Sequence, residues 1–155
     1  MKAYLRVRCN KGNLAIIRDF VRARLDDLDV KGKMSDQIVL AVDEACANCM
    51  IHQHQCDNYS TIEVAIYRQE GVLYTEIKDT GKAFPIDRYQ PRKLKDIVKG
   101  RIKGGLGINL IHKIMDEIKV EERRDYFIYK LGKRIDSSFS SGFKNTAFGG
   151  NGLPE

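Results

Sequence analysis

Residues 44–52 have the sequence Glu-Ala-Cys-Ala-Asn-Cys-Met-Ile-His and lie in a segment, residues 35–54, whose apolar side chains recur at helical spacing. The apolar stripe of this predicted helix consists of Ile38, Val42, Ala45 and Cys49. Glu44, Asn48 and His52 follow at steps of four, so they form a polar stripe beside the apolar one. A carboxylate and an amide oxygen at this spacing can share a Mg²⁺ ion, or Glu44 could accept a proton from an attacking hydroxyl. The alternative interpretation is an ordinary solvated helix face.

A second candidate site residue, Asp79, ends a predicted strand. Residues 60–69 and 71–79 are predicted to form two strands around Gly71. One face of the second strand carries Leu73, Thr75, Ile77 and Asp79. Asp79 is therefore predicted to be a covered carboxylate, which is a strong acceptor for an exocyclic amine and can distinguish adenine from guanine. Gly81, which lacks a Cβ, could let the backbone lie flat against a ring. The alternative is a plain Asp-Thr-Gly turn.

A glycine-rich run, Gly-Gly-Leu-Gly at residues 104–107, opens a predicted helix that continues to Met115. Glycines at a helix start leave backbone N–H groups exposed at the positive end of the helix dipole, which is a ready site for phosphate. No Gly-Lys-Ser/Thr follows, which excludes a Walker A loop, and no βαβ unit surrounds the run, which excludes a dinucleotide fingerprint. The alternative is a flexible hinge.

The remaining segments predict an α+β fold. Their order is strand, helix, helix, strand, strand, loop, helix, strand, strand, which favours two layers with the helices on one face of a mixed, mostly antiparallel sheet. The closing hairpin is predicted at residues 117–123 and 125–131. We expect one domain, residues 1–131, followed by a Gly- and Ser-rich tail, residues 132–155. Residues 80–106 are predicted to be a long functional loop.

The charge of the 155-residue chain is concentrated in one segment. Residues 82–103 carry eight lysines and arginines against two aspartates, as large an excess as the net charge of +6 of the whole chain. This cluster suits a compact polyanion such as a triphosphate, or an acidic partner, better than nucleic acid. No segment approaches the roughly 20 apolar residues that span a bilayer, and the N-terminus lacks a signal-peptide core. We therefore expect a cytoplasmic protein without a membrane segment and without direct nucleic-acid binding.

Three of the four cysteines lie close together in the sequence. Cys46, Cys49 and Cys56, with nearby histidines, could form a metal site. No second Cys-x-x-Cys pair exists to complete a zinc knuckle. This favours the interpretation that Cys46 and Cys49 are small apolar side chains that pack one helix.

Taken together, the three motifs resemble those of the GHKL, or Bergerat-fold, ATPases. Glu-Ala-Cys-Ala-Asn at 44–48, with His52, resembles the N box. Asp-x-Gly-x-x-Phe at 79–84 resembles the G1 box, and Gly-Gly-Leu-Gly-Ile-Asn-Leu-Ile at 104–111 resembles the G2 box. The resemblance covers roughly residues 3–131. The short single domain and the Phe-type G1 box are similar to those of anti-sigma factor serine/threonine kinases.

This resemblance implies ATP and Mg²⁺ as ligands and assigns roles to the motif residues. Glu44 is implied to be the general base for a serine or threonine hydroxyl, and Asn48 the Mg²⁺ ligand. Asp79 is implied to accept a hydrogen bond from the adenine N6 amine. The other predicted nucleotide-binding residues are His52, Gly81, Phe84, Arg101, Lys103, Gly104, Gly105, Leu106 and Gly107.

The resemblance also implies protein partners. They are a sigma factor that is held inactive and a STAS-type anti-anti-sigma factor that is phosphorylated. A homodimer is a further possibility, with the first strand and helix as candidate contacts. Three alternatives are a module that holds ATP without transferring phosphate, the ATPase domain of a histidine kinase, and a basic adaptor for nucleic acid. The second is less favoured because no helix with a phospho-acceptor histidine fits before Lys2.

Overall fold

The computed structural model describes residues 2–52, 60–80, 85–88 and 105–135. Within these ranges the elements follow the predicted order. The strands and α-helices are β1 (Ala3–Arg8), α1 (Leu14–Asp27), α2 (Gly32–His52), β2 (Thr61–Gln69), β3 (Val72–Thr80), α3 (Gly105–Ile114), β4 (Glu117–Glu122) and β5 (Tyr126–Arg134). Two short 3-10 turns, Lys11–Asn13 and Ile86–Arg88, lie between them.

The strands form one sheet in the order β1-β2-β3-β5-β4. All four pairings between these strands are antiparallel. Glu70 and Gly71 join β2 to β3 with φ angles of 49° and 78°, the left-handed conformations that suit a tight hairpin turn. The predicted α+β class and mostly antiparallel sheet are confirmed, and no pairing among the described strands is parallel.

One face of the sheet forms the core with the helices. Val64, Ile77 and Tyr129 lie side by side on β2, β3 and β5, and each is at most 1% exposed. Asp79 is the next residue of β3 on this face and pairs with Phe127 of β5. Asp79 therefore stands at the end of an apolar row, as the strand alternation predicts.

The opposite face of the sheet carries an aromatic and charged network. The rings of Tyr67 and Tyr74 lie 5.4 Å apart, and the Tyr67 hydroxyl donates to Glu76 over 2.5 Å. The ammonium groups of Lys2 and Lys130 lie 4.5 Å and 4.6 Å from the centroids of Tyr67 and Tyr74, respectively. These contacts hold the Tyr67 hydroxyl and both ring faces against charged partners.

The end of β5 lies beyond its predicted position. Lys133 Nζ donates to the carbonyl of Ile114 over 2.9 Å, and the backbone N–H of Arg134 donates to the Asp116 carboxylate over 2.7 Å. The lysine thus satisfies a carbonyl at the C-terminus of α3, where helices leave such groups unpaired. Residues 132–134 also pair with β3, so the predicted boundary after residue 131 falls inside β5.

The helix layer contains both cysteines of the predicted helix. Cys46 and Cys49 are free thiols buried in the hydrophobic core, which confirms their interpretation as small apolar side chains. Burial raises the pKa of both thiols, so they stay protonated near neutral pH. Within the described ranges, none of the helices has the length and apolarity needed to cross a bilayer.

Candidate functional site

Asp79 is a buried carboxylate at the end of β3. Its side chain is only 3% exposed, and the backbone N–H of Thr80 donates to Oδ1 over 2.7 Å. The other oxygen, Oδ2, is buried and has no hydrogen-bond partner among the described residues. Burial raises the pKa of Asp79 to about 6, although the Thr80 N–H partly opposes this. A buried acceptor without a donor costs free energy, which marks this oxygen as a candidate for contact with a ligand.

Asn48 of α2 provides a second buried acceptor in the same part of the fold. It is 7% exposed, and its Oδ1 has no hydrogen-bond partner in the described part of the chain. Burial is the main cause of the raised pKa of the neighbouring Cys49, and the Cys46 and Asp79 groups add to it. The helix α2 contacts β3, the strand that carries Asp79.

Glu44 and Gly107 bring the first and third motifs together. The helices α2 and α3 pack against each other, and a Cβ added at Gly107 would collide with Oε1 of Glu44 and lie 3.2 Å from its Cδ. Real Cβ atoms rarely approach other atoms this closely. The Glu44 carboxylate therefore occupies the space that any other residue at 107 would fill.

The surroundings of Glu44 raise the pKa of its carboxyl group. Partial burial raises the pKa of this carboxyl, and the charge of Asp43 adds to the shift. Arg18 of α1 donates to Asp43 over 2.9 Å, so the carboxylate next to Glu44 in the sequence is held against α1. A carboxylate with a raised pKa is a stronger base than an exposed one, as general base catalysis requires.

A contact that the sequence analysis missed links α3 to the segment that follows β3. The Nε2–H of His112 donates to the backbone carbonyl of Ile86 over 2.6 Å. Ile86 is fully buried in the core. Periodicity places His112 on a helix but carries no information on its partner, which is 26 residues away in the sequence.

Comparison with known proteins identifies the family of the chain. Residues 7–128 match the family model of the histidine kinase-like ATPase domain, which is more than half of the chain. The chain belongs to this family. The resemblance to GHKL ATPases seen in the sequence is thereby confirmed.

The curated relatives of this ATPase domain are anti-sigma factor kinases. The domain is 29% identical over 109 residues to the serine-protein kinase RsbW of Bacillus velezensis, which covers 65% of this chain and 68% of the relative. Identity to RsbW of Bacillus subtilis is 28% with the same coverage. Identity to the anti-sigma F factor of Geobacillus stearothermophilus is 25% over 119 residues, 76% of this chain and 81% of the relative. The predicted subgroup is confirmed.

Solved structures share the fold of the ATPase domain. The SiaB-SiaC complex from Pseudomonas aeruginosa contains a chain with a TM-score of 0.56 and 16% identity, over 84% of this chain and 88% of that one. The histidine kinase domain of a blue-light activated histidine kinase from Erythrobacter litoralis gives a TM-score of 0.53 and 15% identity, over 82% of this chain and 63% of that one. At these identities the likeness concerns architecture alone.

Several predicted site residues of the ATPase domain lie outside the described residues. They are Gly81, Phe84, Arg101, Lys103 and Gly104. The backbones of His52 and Leu106 belong to α2 and α3, but the description does not extend to their side chains. Gly105 is the first residue of α3, which confirms that this glycine run opens a helix. Apart from residues 85–88, the basic segment 82–103 also lies outside.

Among the described residues, Asn48 provides an oxygen that fits Mg²⁺. The described ranges contain no group of three His, Cys, Asp or Glu side chains that could hold a metal ion alone. Mg²⁺ usually takes one or two protein oxygens and completes its shell with water and substrate phosphates. The buried Oδ1 of Asn48, which no described group donates to, is a hard oxygen of this kind.

Proposed function

We propose that the chain is an anti-sigma factor kinase that binds ATP and transfers the γ-phosphate to a serine or threonine of a protein antagonist. The observation that carries ATP binding is the Oδ2 of Asp79, a buried acceptor without a donor among the described residues. Adenine presents an exocyclic amine as a donor, whereas guanine presents a carbonyl at the same ring position. A fixed carboxylate therefore favours ATP over GTP.

The other groups of the site suit the phosphates. The helix α3 begins at Gly105. The unpaired N–H groups and the positive dipole end at the N-terminus of a helix attract anions. Mg²⁺, which the amide oxygen of Asn48 would hold, supplies positive charge that offsets the charge of the phosphates. Adenine and phosphates would thus be bound by β3 and α3, both of which contact α2.

Glu44 is the proposed general base. The acceptor hydroxyl gives its proton to the Glu44 carboxylate while its oxygen bonds to the γ-phosphorus. The bond between that phosphorus and the bridging oxygen breaks, and ADP leaves. The raised pKa of Glu44 supports this role, and its position against Gly107 restricts where the carboxylate can lie.

The names of the relatives support the regulatory part of the proposal. They are serine-protein kinases and anti-sigma F factors. We propose a cytoplasmic protein with a sigma factor as the partner held inactive and a STAS-type anti-anti-sigma protein as the phospho-acceptor. A second copy of the chain is a further proposed partner, through β1 and α1.

A thermal shift measurement tests the nucleotide. A ligand that binds only the folded state at 100 times its Kd adds about 2.7 kcal/mol of stability, which raises the Tm of a domain of this size by about 5–10 °C. We expect this shift with ATP and Mg²⁺ and little shift with GTP and Mg²⁺. Equal shifts with both nucleotides, or none with ATP, would contradict the proposal.

Gly107→Ala is expected to reduce phosphoryl transfer about tenfold while the protein stays folded, because a small displacement of a catalytic group is costly. The added methyl group displaces the flexible end of Glu44 rather than backbone. A single-turnover assay with the antagonist protein measures the loss.

A double-mutant cycle in urea unfolding provides the control for Gly107→Ala. With Glu44→Ala as background the collision is absent, so the better helix propensity of alanine should stabilise the protein by up to about 1 kcal/mol. The gain should be smaller when Glu44 is present. Equal gains in both backgrounds, with full transfer activity, would show that Gly107 does not position Glu44.

A further inference from the structure

His112 is a polar residue of α3 that the proposed phosphoryl transfer does not use. Its ring is partly buried, and its Nε2–H donates to the carbonyl of Ile86 over 2.6 Å. The residue lies five positions after Gly107 on the same helix, about 7.5 Å along the axis. The hydrogen bond therefore attaches another segment of the chain to the helix whose start would bind the phosphates.

The attached segment is the one that leaves the adenine side of the site. Ile86 begins a 3-10 turn seven residues after Asp79, and its side chain is 0% exposed. It belongs to the same core cluster as Ile108 and Ile111 of α3. Apolar packing and one directional hydrogen bond thus hold the turn against α3. The hydrogen bond adds a defined donor–acceptor distance and direction to this packing.

A bound nucleotide would contact both β3, which precedes the 3-10 turn, and α3, to which the turn is attached. Its base would bind at Asp79 and its phosphates at the N-terminus of α3. A ligand that engages two subsites at once binds tightly only when their spacing matches its own length. Loss of the His112–Ile86 hydrogen bond would leave the adenine and phosphate subsites intact. It would raise the free-energy cost of contacting both subsites at once.

We propose that His112 is a positioning residue that sets the spacing between the adenine and phosphate subsites. This inference rests on the proposed ATP function. The hydrogen bond needs a donor of sufficient reach rather than an imidazole, so glutamine at this position should replace it.

Equilibrium binding of ATP with Mg²⁺ and of adenosine tests the role of His112. In His112→Ala we expect the Kd for ATP to rise about tenfold, the equivalent of one lost hydrogen bond, and the Kd for adenosine to stay unchanged. His112→Gln should restore ATP binding. Lys133→Met is the control, since it removes the contact to Ile114, two residues after His112 on α3, and should lower the Tm without changing the Kd for ATP.

Three results would overturn the inference: ATP binding by His112→Ala equal to that of wild type, equal losses for ATP and adenosine, or a loss in Lys133→Met as large as that in His112→Ala. The last two would show that the histidine acts through general stability. A wild-type protein that does not bind ATP would instead contradict the proposed function, so the two failures are distinguishable.

Discussion

Glu44→Gln is expected to lower phosphoryl transfer by about 10²–10⁴-fold while ATP binding stays close to that of wild type. A general base contributes about this factor, and an amide cannot accept the proton of the attacking hydroxyl. Glutamine keeps nearly the same shape, so the close approach to Gly107 persists. Rapid-mixing measurement of one turnover on the antagonist protein isolates the chemical step, and a nucleotide titration monitors binding.

The control for Glu44→Gln is the same substitution on the opposite face of the sheet. Glu63 forms an ion pair with Arg6 over 3.2 Å on the face of the sheet that does not pack against the helices, so Glu63→Gln should transfer phosphate normally. Wild-type transfer by Glu44→Gln would remove Glu44 from the mechanism. If the wild-type protein binds ATP but transfers no phosphate to any antagonist, the chain is the non-catalytic ATP-binding module.

Asp79→Asn is expected to weaken ATP binding about one hundredfold. The substitution replaces a charged acceptor with a neutral one inside a buried site, where a hydrogen bond to a charged group contributes about 1.5–3 kcal/mol. Calorimetric titration with ATP and Mg²⁺ gives the dissociation constants of wild type and of Asp79→Asn. Asp125→Asn, at an exposed turn, is the matched control and should bind ATP as wild type does.

The same substitution changes how stability depends on pH. Burial raises the pKa of Asp79 in the folded protein to about 6, above the value of about 4 for an unfolded aspartate. A raised carboxyl pKa means that the folded state binds the proton more tightly. The ionised group therefore destabilises the fold at pH 7, and this cost disappears as pH falls from about 6 to about 4.

Wild type should consequently gain on the order of 2–3 kcal/mol of unfolding free energy relative to Asp79→Asn between pH 7 and pH 4. Other titrating groups are shared by the two proteins and cancel in the difference. Urea unfolding of both proteins across this range measures the gain. Parallel pH profiles would show that Asp79 is not perturbed by burial and would weaken its assignment as a preorganised acceptor.

The sequence was sufficient to predict the burial of a side chain wherever a local pattern of apolar residues indicates it. Strand alternation through Leu73, Thr75 and Ile77 predicts that Asp79 faces the core, and its 3% exposure confirms this. Helical periodicity likewise places Cys49 on the apolar stripe of its helix, and its 1% exposure confirms this. The end of β5 was predicted too early because the composition of the chain changes towards Gly, Ser and Asn after residue 131. The partners of Lys133 and Arg134 on α3 and at Asp116 are distant in sequence, so no local pattern indicates them.

By itself, the sequence determined the family, the order of the elements and the residue types of the three motifs. The order of the elements follows from periodicity and the family from the resemblance of the motifs, and a chain carries both without folding. Only the tertiary structure decided that the Glu44 carboxylate occupies the space beside Gly107 and that His112 holds the carbonyl of Ile86. Such contacts arise when helices and turns far apart in the chain pack at a particular distance. That distance depends on the whole core rather than on any one segment.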